Sequence, residues 1–345
     1  MSSFAERLRS ARKIKGWSLQ ELADAMPVSI SKQALSKYEA GDMLPSSEVL
    51  LGLSRVLGVK PEYFSRESSI ELPEVEFRKA DSLSVKEIES IKERVNEFLE
   101  RYLEVERFLS IQEHFTHPLT KDIIRTDHDA DAAALKLSKA WNLGFDPIPN
   151  VIEMLENRGV RLMEIDAPEA FDGMSTRVGD IPVIIINRNY SIERKRFTAL
   201  HELGHLVLSI FPKADKEKIC HAFAGAMLLP DDTLQRILGD KRNNIAMGEL
   251  VSIKEQFGIS VQATMMRAHL KGIINSAALN RFFRSIASNK KEEGLGSFAG
   301  KEKSYRFEHL VFRLAAEDIV SLNKAADLAG LRLAEFRDRL DAYGK

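Results

Sequence analysis

The pentapeptide His201-Glu202-Leu203-Gly204-His205 constrains this chain more than any other feature. Two histidines four positions apart act together only if the segment is helical, because residues i and i+4 lie on one helix face about a turn apart. The flanking residues agree: Phe197, Leu200, Val207 and Leu208 recur at helical spacing and predict a buried helix. Gly204 leaves room for another backbone to approach. From such a helix both imidazoles reach one divalent cation. Glu202, offset around the helix, is placed to hold a metal-bound water and accept its proton. The pattern points to a zinc centre with His201 and His205 as ligands and Glu202 as general base. The opposing reading is two ordinary core histidines. It is weakened by the β-branched run at residues 183–186, which predicts a buried strand just before the motif helix.

A catalytic zinc needs a third protein ligand and an open position. Residues 217–230, EKICHAFAGAMLLP, read as a second helix ended near Pro230. Glu217, Cys220 and His221 fall at i, i+3 and i+4, so each can face the same point, and spacing alone does not choose. A carboxylate beside two histidines is a common catalytic set, whereas a cysteine makes a softer, less hydrolytic site. Zn²⁺ is the default cation, and the same donors also suit Mn²⁺ or Fe²⁺.

The chain has 345 residues, enough for two or three domains. Its formal net charge is −1, which excludes a general polyanion binder and confines any nucleic-acid site to a local patch. A single cysteine, Cys220, rules out an internal disulfide and fits a reducing compartment. Residues 1–16 have no apolar signal core, and no run of roughly 18 apolar residues occurs. A cytoplasmic protein without membrane contact is expected.

Residues 1–66 alternate short amphipathic segments with turns. Leu8, Ala11 and Ile14 share one face of a first helix. Ser18 and Glu21 form a capping-box pattern for a second helix at 19–26, closed by Pro27. Ser31 or a nearby serine opens a third, stopped by Gly41, and Pro45-Ser46 opens a fourth, stopped by Gly58. Residues 66–82 read as a linker. Residues 84–115 predict a long helix with a charged outer face, either a connector or, through Ile88, Ile91, Val95, Leu99 and Tyr102, a dimerising coiled coil. Residues 127–159 are helical twice, broken at Pro147-Ile148-Pro149. Residues 159–165, 174–178 and 183–186 predict a small sheet. Helices return over 247–275. Residues 287–300 read as a flexible link. Residues 305–341 predict helices with a break at Gly330, expected to pack on the domain that carries the histidines.

Two resemblances follow from these residues. RKRFTALHELGHLVL at 194–208 and EKICHAFAGAMLLP at 217–230, with DPIPNVIEMLENRGVRL and GDIPVIIIN upstream, resemble the ImmA/IrrE family of metallopeptidases over about residues 120–275. The resemblance implies a zincin-like α+β domain with a small sheet, His201, His205 and Glu217 as ligands, and Glu202 as base. The family pattern carries Ala-Asn where this chain has Cys220-His221, which leaves His221 as a rival ligand. It also implies that a strand edge, residues 183–187 or 174–178, pairs with an extended substrate. Residues 4–64 resemble the Cro/C1-type (XRE) helix-turn-helix family through SLQELA at 18–23 and SKQALSKYEAG at 31–41. That resemblance implies an all-α DNA-binding domain whose third helix enters the major groove, presenting Ser31, Lys32, Gln33, Ser36 and Lys37, with Gln20 near phosphate.

The expected whole is multidomain: residues 1–66 on double-stranded DNA, 67–118 as linker and connecting helix, 119–286 as metallopeptidase, and 287–345 as a flexible link and helical segment. The expected function is a regulatory zinc metallopeptidase. It would cleave a partner protein, a repressor or antitoxin, in a stress-response, mobile-element or toxin–antitoxin-like setting, with a homodimer for tight operator binding. The alternative is a transcription regulator whose peptidase-like domain only senses a signal or binds a partner. The intact Glu202 favours the enzyme.

Overall fold

Serine side chains set the helix starts of the N-terminal segment. After α1 (Ser3–Ile14), Ser18 accepts a hydrogen bond from Glu21 N and the Glu21 carboxylate accepts one from Ser18 N, which opens α2 (Leu19–Ala25) with a full capping box. Ser31 caps α3 (Lys32–Ala40) and Ser46 caps α4 (Ser47–Leu57). These helices end at Gly41 and Gly58, whose φ of 82° and 73° are left-handed values that glycine adopts without strain. A 3-10 turn (Pro61–Ser65) brings Phe64 under α1, and Leu8, Leu22, Leu35 and Leu53 complete the core. The acidic group inside this core is answered: Glu39 is buried and accepts from Arg12 Nε at 2.6 Å.

The computed structural model describes residues 3–66, 83–111, 114–119 and 121–343. The expected linker, apart from Arg66, lies outside them. By contacts the chain divides into one unit of Met1–Gln112 with Phe307–Lys345, and a second of Glu113–Arg306. In the first, α5 (Val85–Phe108) is the spine. It meets α1 through the buried Arg7–Glu100 pair at 2.8 Å and through Ser90, which donates to Ile14 O.

In the second unit β1 (Ile123–Ile124) is followed by α6 (Asp127–Ala140), α7 (Val151–Glu156), β2 (Arg161–Ile165), β3 (Gly173–Val178) and β4 (Ile181–Asn187). The sheet order is β2-β4-β3, parallel between β2 and β4 and antiparallel between β4 and β3. Thus β4 is central, which explains its continuous burial, and β3 is an edge. Next come α8 (Ile192–Val207), β5 (Ser209–Ile210), α9 (Lys216–Leu228), α10 (Asp231–Leu238), α11 (Met247–Phe257), α12 (Val261–Leu270) and α13 (Ser276–Ser285). Of these, β5, α10 and α13 were not foreseen. The chain then rejoins the first unit with α14 (Arg306–Ala316), α15 (Leu322–Ala329) and α16 (Leu333–Tyr343).

Two expectations fail here. Residues 287–300, expected as a flexible link, and the residues that follow to 306 are not a free tether. Glu292 is buried, pairs with Lys254 at 3.0 Å and accepts from Val261 N and Gln262 N at the start of α12. Glu302 is fully buried, pairs with Arg196 of α8 at 2.7 Å and accepts from Val151 N and Ile152 N at the start of α7. Carboxylates at helix N-termini are stabilised by the orphan N–H groups there. The second unit therefore reaches Arg306 rather than residue 286. The C-terminal helices, expected against the histidine-bearing domain, group instead with α5: Phe307 stacks on Tyr102 at 5.1 Å, and Val105 joins Val311, Phe312, Ala325 and Phe336. The face of α5 offered to a coiled-coil partner is occupied by this chain's own helices.

Two stability effects are expected from this packing. Glu302→Ala leaves the Arg196 guanidinium buried without its carboxylate and costs about 3–5 kcal/mol, read by urea unfolding in a Trp17→Phe background where Trp141 reports on the second unit. Glu156, also buried, has its carboxyl pushed up to about 7 by desolvation, against the hydrogen bond it accepts from Ser304. A raised folded-state value means the group's stabilising contribution is full below about pH 4.5 and is lost as pH rises through about 7. Glu156→Gln should therefore flatten the fall in stability between pH 5 and 8, by an amount on the order of 3 kcal/mol. An unchanged pH profile would show that Glu156 does not titrate in this way.

Candidate functional site

α8 is buried over most of its length because β3 and β4 cover one side and α9 another. Gly173 permits the first approach: a Cβ there would sit 2.6 Å from Thr198 Cγ2. Gly204 permits the second, as the spacing suggested, though what it meets is side chain and not backbone: a Cβ would lie 3.2 Å from Cys220 Sγ and 3.3 Å from Phe223 Cδ1. With α9 this close, Glu217 in its first turn reaches the histidines of α8. His201 Nε2 and His205 Nε2 are 3.1 Å apart, and the Glu217 oxygens lie 3.2 Å from the first and 3.4 Å from the second. Donor atoms about 2.0–2.2 Å from a tetrahedral cation sit about 3.3–3.6 Å from one another. Two imidazole nitrogens and a carboxylate at these spacings thus fit a divalent metal in both chemistry and reach. Among the described residues His201, His205 and Glu217 are the group so placed.

The other two candidates on α9 fall elsewhere. Cys220 is fully buried behind His205, its Sγ 3.5 Å from His205 Nδ1. With the proton on Nδ1, His205 donates to that sulfur and keeps the Nε2 lone pair on the cluster side. His221 is exposed, 4.4 Å from the His201 ring between centroids and stacked at 5.7 Å on Phe197. It stands beside the cluster without joining it.

Glu202 is buried, and its Oε2 accepts a 2.8 Å hydrogen bond from Ser175 Oγ. Ser175 lies on β3, at one edge of the sheet order, so an edge strand holds the glutamate. The motif gave no hint of Ser175. Its only trace in the sequence was membership of a short strand flanked by turn dipeptides. Residues 183–187, the other candidate edge, are interior.

In the first unit Lys32, Gln33, Ser36 and Lys37 are exposed on α3. Ser31 is exposed too, with its hydroxyl engaged as the N-cap of that helix through Ala34 N. Gln20 is exposed in the first turn of α2 and its amide donates to Asp24. No helix among the described residues is long and apolar enough to cross a membrane.

Comparison with known proteins matches these two regions separately. Residues 8–64 match the helix-turn-helix family and residues 155–269 match the IrrE N-terminal-like domain. An SPbeta prophage-derived uncharacterized HTH-type transcriptional regulator, YonR, of Bacillus subtilis (strain 168) is 40% identical over 60 residues, covering 17% of this chain. The chain spans about half the length of that relative, 54%. The chain therefore carries an XRE-type helix-turn-helix domain at its N-terminus and an IrrE N-terminal-like metallopeptidase-family domain in its second unit.

Proposed function

We propose that the chain is a cytoplasmic, DNA-binding regulatory zinc metallopeptidase. Its second unit hydrolyses a peptide bond in a partner protein, a repressor or antitoxin, while residues 1–66 engage double-stranded DNA. The observation that carries the reading is the approach of His201 Nε2, His205 Nε2 and Glu217 within 3.1–3.4 Å of one another beside a buried Glu202. The prophage origin of the similar regulator favours a mobile-element setting.

Zn²⁺ held by His201, His205 and Glu217 would supply Lewis-acid polarisation of the substrate carbonyl. Glu202 takes the proton of the attacking water and passes it to the leaving amine. Ser175 fixes the Glu202 carboxylate, and β3 pairs with the substrate as an added strand. Cys220 orients His205 from the far side. On DNA, Gln33 suits bidentate contact with adenine, and Lys32 and Lys37 suit guanine or phosphate. Residues 1–66 hold ten basic and seven acidic side chains, a net of +3, so few phosphates are neutralised and a homodimer serves operator affinity.

Elemental analysis is expected to find about one zinc per chain, lost in His205→Ala and Glu217→Ala. Zinc kept by Glu217→Ala would move the third ligand to His221, and a metal-free wild type supplied with zinc would leave a regulator with a sensing or partner-binding domain. Cleavage of the partner should fall about 10²–10⁴-fold in Glu202→Gln with DNA binding intact. Ser175→Ala should cost about 10–100-fold with metal content unchanged. Regulation that survives Glu202→Gln unaltered argues against an enzymatic role. On DNA, Gln33→Ala should relax preference at one base pair by about 1–3 kcal/mol, whereas Lys37→Ala should weaken all sequences and lower the salt slope by about 1. A mobility-shift titration across salt separates the two effects.

A further inference from the structure

The ends of α6 and α7 and the segment 114–118 line a cavity of about 490 Å³ within the second unit. Its size suits a small molecule, whose sites hold about 300–1,000 Å³. Gly159 brings two of its walls together, because a Cβ there would sit 3.3 Å from Phe115 N. The cavity shares no residue with the histidine–carboxylate cluster.

Every polar side chain that lines it can donate a hydrogen bond. These are His114, Thr116, His117, Asn157 and Arg158, and no Asp or Glu lines it among the described residues. Arg158 is half-buried, with its guanidinium 5.6 Å from the centre of the Trp141 ring. One amino group donates to Trp141 O, and no carboxylate among the described residues pairs with it. A guanidinium carries more N–H groups than that contact uses. His117 donates in a fixed sense. Its Nδ1 accepts from Leu119 N at 3.3 Å, so the proton of the neutral ring is on Nε2. Burial lowers the His117 pKa and nearby Arg177 lowers it further, so the neutral ring is the form present at pH 7. Arg177 also has no carboxylate partner among the described residues: it donates to Leu206 O and lies 5.8 Å over the Phe115 ring. Two guanidinium groups thus put positive charge at or near the cavity.

Helix C-termini carry partial negative charge, which opposes an anion. Here the last carbonyls are engaged. In α6, Leu137 O accepts from Trp141 N and Ser138 O from Leu143 N; in α7, Leu155 O accepts from Val160 N and Glu156 O from Gly159 N. Trp141 O is taken by Arg158 itself.

We infer that this cavity binds a phosphate group, free or carried by a small ester. A carboxylate offers two oxygens to these five side chains. A phosphate offers three acceptor oxygens and a charge of about −1.5 to −2. Arg158 supplies the charge and the planar donor fork, and His117, Asn157 and Thr116 supply neutral donors beside it. The inference does not rest on the peptidase reading.

The test uses the full-length chain in the Trp17→Phe background, where Trp141 emission reports on the cavity. Sodium phosphate, ribose 5-phosphate and succinate are titrated at constant ionic strength, with sodium chloride as the balance. The expected result is a saturable change with phosphate or ribose 5-phosphate at a Kd of about 1 mM or tighter. Tighter binding of ribose 5-phosphate marks the ester as the occupant, and tighter binding of phosphate marks the free ion. Asn157→Asp places a like charge at an exposed position of the cavity and should weaken binding at least about tenfold. Arg158→Gln should abolish binding by calorimetry, and Asn157→Asp carries the test where loss of the Trp141 contact disturbs the fold. Arg236→Gln, an exposed cation on α10 outside the cavity, should leave affinity unchanged. No saturation by either phosphate, tighter binding of succinate, full affinity in Asn157→Asp, or an equal loss in Arg236→Gln would overturn the proposal.

Discussion

The approach of α9 to α8 at Gly204 sets the geometry of everything around it. A Cβ at 204 would lie 3.2–3.3 Å from Cys220 and Phe223, both fully buried, so these side chains would have to give by a few tenths of an ångström. Glu217 sits three residues before Cys220 on the same helix. Its carboxylate meets the two imidazoles at 3.2 and 3.4 Å. The same contact seats Cys220 behind His205. The absent Cβ at 204 thus bears on both contacts, the approach of Glu217 to the imidazoles and the seat of Cys220 behind His205.

The axial position of α8 depends on a different kind of contact. Arg196, five residues before His201, is fully buried and donates to Ile148 O and to Phe257 O as well as to Glu302. Glu193, also buried on α8, accepts from Phe298 N. A buried ion pair contributes little net stability compared with an apolar substitute, but it tolerates only a narrow range of positions. Here the pair and its backbone partners tie α8 to the start of α7, to the end of α11 and to the strap at 292–302. The apolar core excludes water, and these polar ties fix the register of the helix that carries the histidines.

The local signals in the sequence were strong where the physics is local. Ser18 with Glu21, Ser31 before Gly41, and Ser46 before Gly58 each name a helix start or stop, because the capping partner lies within four residues. The His201–His205 pair needed only the helical period. Residues 287–300, and the stretch just after them, misled for the opposite reason. Their serines, lysines and glycines have the composition of a solvated link, and nothing nearby in sequence reveals that Glu292 and Glu302 find their partners 30 to 150 residues away. From spacing alone the choice among Glu217, Cys220 and His221 was equally out of reach, and only the resemblance implied Glu217. Their angular offsets on α9 are small, and which one meets the imidazoles depends on how α9 rolls against α8. Ser175 was hidden because a hydroxyl on a short strand acquires meaning only once the strand order β2-β4-β3 places it on an edge beside α8.

The chain order adds a last constraint. The second unit is inserted between α5 and α14 of the first, so the chain passes between them twice. The second passage leaves by way of residues 302–306, and this stretch is anchored: Glu302 grips Arg196, and Ser304 donates to Glu156 at 2.6 Å. The helix that holds His201, Glu202 and His205 is therefore tied, through one buried side chain, to the segment that leads into the α5-packed C-terminal helices.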